Sequence, residues 1–169
     1  MALDSTTQST PYPEARCLYM AMELSATKWR LALSTGGPRI REKSVGAGDG
    51  GRLLDEIRAA KKRFGLPDDA RVISCYEAGR DGFWIDRLLS QFGIENVVVD
   101  AASMKVDRRA RRAKTDKIDA KRLLADLIRH HRGEKDVWKV VRVPSEEQED
   151  KRRLHRNVER LKKEKTQHR

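Results

Sequence analysis

Residues 17–24 read CLYMAMEL, and this stretch decides the fold. It is short and nearly all apolar, it stops before the turn-like Ser25-Ala26-Thr27, and Glu23 is its one charge. That is the pattern of a strand buried on both faces. On its C-terminal side, WRLALST (29–35) alternates Trp29, Leu31 and Leu33 inward with Arg30 and Ala32 outward. Gly36-Gly37-Pro38 then supplies a turn, and residues 41–47 read as a third, weaker strand of an antiparallel meander. Beyond the glycines at 48–51, a helix carries Leu53, Leu54, Ile57 and Phe64 on one side and ends at Gly65-Leu66-Pro67. RVISCYE (71–77) is another apolar strand with a tight exit loop at 78–82. A helix at 83–92 directs Trp84, Ile85, Leu88 and Leu89 inward, and GIENVVVD (93–100) is a further buried strand. A last helix runs from about Asp116 to His131, and VWKVVRV (137–143) reads as an edge strand or an extended crossover. The order β-β-β-α-β-α-β-α predicts an α/β fold with a mixed sheet and helices on its faces.

Composition bounds what such a domain does. The 169 residues hold one medium domain and an appended element, with 38% hydrophobic and 37% charged residues. Charged residues make up roughly 25% of an ordinary globular chain. Lys and Arg outnumber Asp and Glu by 37 to 26, for a net charge of +11. This balance favours a polyanionic partner, above all nucleic acid; the bland alternative is a protein that is simply basic. Cys17 and Cys75 each sit in an apolar run without CxxC spacing, and the four histidines form no zinc pattern with them. They read as small buried residues of a reduced, intracellular protein. Residues 1–16 read as a disordered leader without the apolar centre of a signal peptide. No run of about eighteen apolar residues exists, so the expectation is a cytoplasmic protein with access to the nucleoid and no membrane span.

The charge is concentrated in KVDRRARRAKTDKIDAKRLLAD (105–126). Lys105, Arg108, Arg109, Arg111, Arg112 and Lys114 face a single acid, Asp107, over residues 105–114. A solvated face is the usual reading of a charge run, but no i, i+4 pairing neutralises this one, and contact with phosphates is the better reading. Four carboxylates stand out beside it. Glu23 lies inside the first apolar strand, Glu77 ends a strand before the 78–82 loop, and Asp116 and Asp119 share a helix face at i and i+3. Singly, Asp116 also reads as a helix cap, Glu77 as a partner of Arg80, and Glu23 as an acid reaching water or a lysine. In this element order the first and fourth strands can be central neighbours, with the last helix crossing near their ends. All four acids then converge, and neutralising them calls for protons or cations. Hard oxygen donors favour Mg2+ or Mn2+, and a pair of such ions clamps a phosphodiester.

Residues 145–169 differ from the rest. Ser145-Glu146-Glu147 opens a helix, and Leu154, Val158 and Leu161 form a thin stripe amid Arg and Lys. So narrow a stripe suits packing on a partner helix, as in a coiled coil that joins protomers into a homo-oligomer.

YEAG at 76–79, KTDKIDAKRLL at 114–124 and the ending RRLHRNVERLKKEKTQHR at 152–169 together resemble the N-terminal DEDD domain of insertion-sequence transposases, the bridge-RNA-guided recombinases. The resemblance covers residues 17–169. It implies a RuvC-like fold of the ribonuclease H class, divalent metal, DNA, a guide RNA and oligomeric assembly. Carried over, the DEDD set falls on Glu23, Glu77, Asp116 and Asp119. The first position departs from the pattern, since the family places Asp in a GxDxS-like strand and this chain has Glu23 in MAMELS. Family members also continue into a C-terminal domain with a catalytic serine, which no serine here resembles. The expected division is a leader at 1–16, a RuvC-like domain at 17–144 and a connector helix at 145–169, in a truncated transposase. Two alternatives stand beside it: a self-sufficient Holliday-junction-type nuclease, and a non-catalytic nucleic-acid-binding module.

Overall fold

The computed structural model describes residues 17–79, 83–104 and 119–167. Its elements follow in the order β1 (Leu18–Leu24), β2 (Lys28–Ser34), β3 (Arg41–Gly46), α1 (Gly50–Phe64), β4 (Val72–Glu77), α2 (Trp84–Gln91), β5 (Glu95–Val99), α3 (Ala120–His131) and α4 (Glu146–Gln167). Among the described residues the sheet has five strands in the order β3-β2-β1-β4-β5. The β1–β2 and β2–β3 pairs are antiparallel, and the β1–β4 and β4–β5 pairs are parallel. The continuous apolar run thus occupies the middle strand, the one position where both faces must be dry.

Alternation along β1 divides the core in two. Leu18, Met20 and Met22 join Trp29, Leu31, Leu33, Leu53 and Ile85 on the face that α1 and α2 cover. Tyr19 and Ala21 join Ala32, Ile73 and Cys75 beneath α3, with Leu123 and Leu127 of α3 itself. Ala32, expected outward, is fully buried, because α3 crosses β2 as well as β1. Both cysteines are buried as free thiols.

Local chemistry sets the helix ends. The Asp49 carboxylate accepts from the Arg52 amide at 2.9 Å to begin α1. Gly65 ends it with φ 66°, while the Leu66 amide bonds the Lys61 carbonyl at 2.9 Å. Ser74, Asn96 and Asp86 form a hydrogen-bonded chain across β4, β5 and α2, with both side-chain links at 2.7 Å. Residues 139–141 bond the free side of β5 through Asp100 N–H to the Lys139 carbonyl and Val141 N–H to the Val98 carbonyl. The 137–143 stretch is therefore a short antiparallel attachment to that edge.

A reciprocal capping box opens α4: Gln148 N–H donates to Ser145 Oγ at 3.3 Å, and Ser145 N–H to Gln148 Oε1 at 3.2 Å. Arg87 on α2 then clasps its first turn, pairing with Glu149 at 2.9 Å and Glu146 at 3.3 Å. Ser145→Ala should cost about 1 kcal/mol of local stability. Amide hydrogen exchange in the first turn of α4 should accelerate about fivefold, with β1 unaffected.

Candidate functional site

Glu23 stands near the end of β1, where the apolar run meets solvent. Its antiparallel partner on β2 is Arg30, and the charges approach to 3.8 Å, at the outer limit of an ion pair. The Glu23 side chain is 18% exposed while Arg30 is 60% exposed, so the guanidinium shields one side of a half-buried carboxylate.

Glu77 is the last residue of β4, and the following residue is pinned by Ala78 N–H to the Val99 carbonyl at 2.8 Å. The β1–β4 register runs from Leu18 beside Val72 to Met22 beside Tyr76. One further step sets Glu23 beside Glu77 on adjacent strands, which lie about 4.8 Å apart in a sheet. Both share parity with Ala21 and Cys75, so both belong to the face that α3 covers. Burial holds the Glu77 carboxyl above the usual carboxylate range, and no neighbouring cation among the described residues offsets it.

The direction of α3 brings a third carboxylate to this end. Its last residue, His131, meets the Tyr19 hydroxyl near the start of β1 at 2.9 Å. The helix consequently runs opposite to β1 and begins over the strand ends where Glu23 and Glu77 lie. Asp119 is its N-cap, in extended conformation, accepting from the Lys121 amide at 3.3 Å. The helix was expected from about Asp116 and starts at Ala120, because Asp119 spends its carboxylate on the first turn and cannot also continue the helix. Asp119 is thus the cap and not a residue of the helix, and the i, i+3 face expected for it with Asp116 involves a residue outside the described ones. Asp119 also borders an open cavity of about 480 Å³ with Arg30, Glu42 and Lys43, while Lys121 pairs with Glu42 at 2.7 Å.

Across the sheet, then, Asp119 lies on the β2 side of Glu23 and Glu77 on the β4 side. Among the described residues no three His, Cys, Asp or Glu side chains are grouped closely enough to share one metal ion. Asp116 lies outside the described residues, as do Lys105, Arg108, Arg109, Arg111, Arg112 and Lys114. On either side of those residues, Met104, 4% exposed, and Ala120, 3% exposed at the start of α3, belong to the same core cluster. Arg30 was not singled out from the sequence. Its signal was the register itself, since an exposed cation directly across a hairpin from an acid in an apolar strand is a natural counter-charge.

A second concavity, of about 770 Å³, lies between the β4 exit and α4. Gly79, Phe83, Trp84 and Pro144 line one side, and Arg152 and Arg156 of α4 the other. Trp84, expected in the core, is 42% exposed here, because the buried arc of the short α2 centres on Ile85 and Leu89.

No protein-family model matches the chain. Over 157 residues it is 42% identical to a protein of Sinorhizobium fredii named "Putative transposase y4rJ", covering 89% of this chain and 39% of that relative. The chain therefore spans about two-fifths of the length of the curated relative it matches. Among solved structures, an exopolyphosphatase from Cytophaga hutchinsonii aligns with a TM-score of 0.31 at 15% identity, over 51% of this chain and 35% of that one. So slight a likeness transfers neither fold nor function.

Proposed function

We propose, from the 42% identity to a transposase-named relative together with the carboxylate-bearing strand ends, that this chain is the metal-binding part of an insertion-sequence DNA transposase. On this reading the fold is of the ribonuclease H (RuvC-like) class, and Glu23, Glu77, Asp116 and Asp119 form a DEDD-type set. What supports it is the β1–β4 register, which runs to Met22 beside Tyr76 and, continued by one residue, puts Glu23 next to Glu77 at the strand ends, on the face that α3 covers.

The donor chemistry, carboxylate oxygens throughout, is that of a hard divalent cation, with Asp116 outside the described residues. Glu77 is a carboxylate disfavoured by burial and lacking a described counter-charge, and a bound cation would relieve that cost. Mg2+ or Mn2+ held there would neutralise charge at a scissile phosphodiester and activate the attacking oxygen. The chain's own contribution is positional. Strand ends fix Glu23 and Glu77, the N-cap fixes Asp119, and Arg30 approaches the Glu23 carboxylate to 3.8 Å from across the hairpin. Lys105, Arg108, Arg109, Arg111, Arg112 and Lys114 would hold the phosphate backbone. DNA is the substrate, a guide RNA and homo-oligomerisation through the 145–169 helix belong to the same reading, and cleavage belongs to the whole protein.

The Glu23–Arg30 pair favours a second reading, in which the arginine replaces the cation and the module binds nucleic acid without cutting it. Titration with Mn2+ separates the two. At 100 times the dissociation constant, a genuine site should stabilise the fold by about 2.7 kcal/mol. Wild-type protein should show this as a rise in melting temperature, lost in Glu77→Gln. Equal melting temperatures with Mn2+ and with EDTA would favour the non-catalytic module.

A further inference from the structure

We infer that the groove between the β4 exit and α4 binds an unpaired stretch of DNA, with a base stacked on Trp84 and its flanking phosphates held by Arg152 and Arg156. The inference rests on the transposase reading for the choice of DNA, while the groove's own chemistry supplies the rest.

Trp84 is the platform. Most of its surroundings are apolar, yet 42% of it is exposed, a costly state for so large a ring. It is not loose: the fully buried Trp29 supports it from below, with centroids 5.8 Å apart and planes at 41°. Phe83 and Pro144 extend the apolar wall. Opposite stands a cationic wall. Glu149, Arg152, Arg153 and Arg156 recur at i, i+3, i+4 and i+7, so they share the face of α4 that looks into the groove. Leu154, Val158 and Leu161 fall roughly 140° around the helix, at about 100° per residue, and are exposed on its far side.

The acids of α4 do not cancel this charge. Glu146 and Glu149 are taken by Arg87, Glu147 by Lys151, Glu159 by Lys162 and Glu164 by Arg160, which leaves Asp150, without an ion pair among the described residues, to offset one charge at most. An aromatic plate facing unneutralised guanidinium groups matches a nucleotide with its base turned out. A paired duplex keeps its base faces stacked and cannot use the plate. The groove also begins at Gly79, two residues beyond Glu77, so a strand held in it passes next to the proposed carboxylate site.

The full chain should be titrated in EDTA with a single-stranded oligothymidylate, a duplex of equal length and the matching oligouridylate, following anisotropy and tryptophan emission. With Trp29 and Trp138 buried, quenching by single-stranded DNA reports Trp84. Trp84→Ala should lower the single-strand to duplex affinity ratio at least about fivefold, and Trp84→Phe should restore most of it. Arg152→Ala with Arg156→Ala should reduce the salt slope for single strands by about 1.4. An unchanged ratio in Trp84→Ala, equal weakening in Trp84→Phe, or tighter binding of oligouridylate than of the DNA would overturn the proposal. Because EDTA is present throughout, failure of the metal site leaves this result standing, and a Mn2+ response without it condemns the groove alone.

Discussion

Glu77→Gln in the full-length protein is expected to abolish DNA transposition while leaving the metal-free fold at least as stable as wild type. The two halves of that expectation have one cause. Burial raises the Glu77 pKa, so the folded protein holds this proton more tightly than the unfolded chain does. Below the unfolded carboxylate pKa the group is protonated in both states and costs nothing. As pH rises through that value and then through the raised folded one, ionisation penalises the folded state. Stability is therefore lost, not gained, with rising pH at this residue. Glutamine keeps the shape and removes the charge. In EDTA its melting temperature should match wild type near pH 4 and exceed it at pH 7 to 8. Transposition by the variant at wild-type levels, with intact protein, would remove Glu77 from the metal site.

The second large effect is structural. Leu123→Ala should cost about 2–5 kcal/mol, because Leu123 is 1% exposed on the sheet-facing side of α3 and its removal leaves a cavity against the central sheet. The melting temperature should fall on the order of 10 °C for a domain of this size. Truncating Leu154, which is 66% exposed, should shift it hardly at all. Leu123 also sits one turn inside the helix that Asp119 caps. Protein that remains folded should thus respond less to Mn2+, which a purely remote core residue would not produce.

Much of this architecture was legible because one run of residues is unambiguous. CLYMAMEL admits no polar face, so it must be central, and the β1–β4 pairing follows from the element order. Where the reading failed, the missing information was long-range. Alternation in WRLALST cannot reveal that α3 will cover the Ala32 face, since alanine is compatible with either environment. Trp84 and Ile85 are equally apolar in sequence, and only the placement of α2 on β5 decides which turns inward. The start of α3 shifted because aspartate serves a first turn and an N-cap with the same chemistry. Of the candidate site, Glu23, Glu77 and Asp119 lie toward one end of the sheet, but among the described residues no three acids are grouped closely enough to share a metal ion. Arg30 was missed because a counter-charge across a hairpin appears only once the register is known.

The Arg87 clasp has a mechanical consequence. The helix it secures is 22 residues long, or about 33 Å. Held at its first turn by ion pairs to Glu146 and Glu149, α4 is a lever pivoting on one guanidinium. A tilt of about 10° at that pivot carries the far end about 6 Å over such a length. Glu146 is 78% exposed, so ionic strength weakens one of the two pins. Raised ionic strength is therefore expected to widen the range of directions open to the far end of α4.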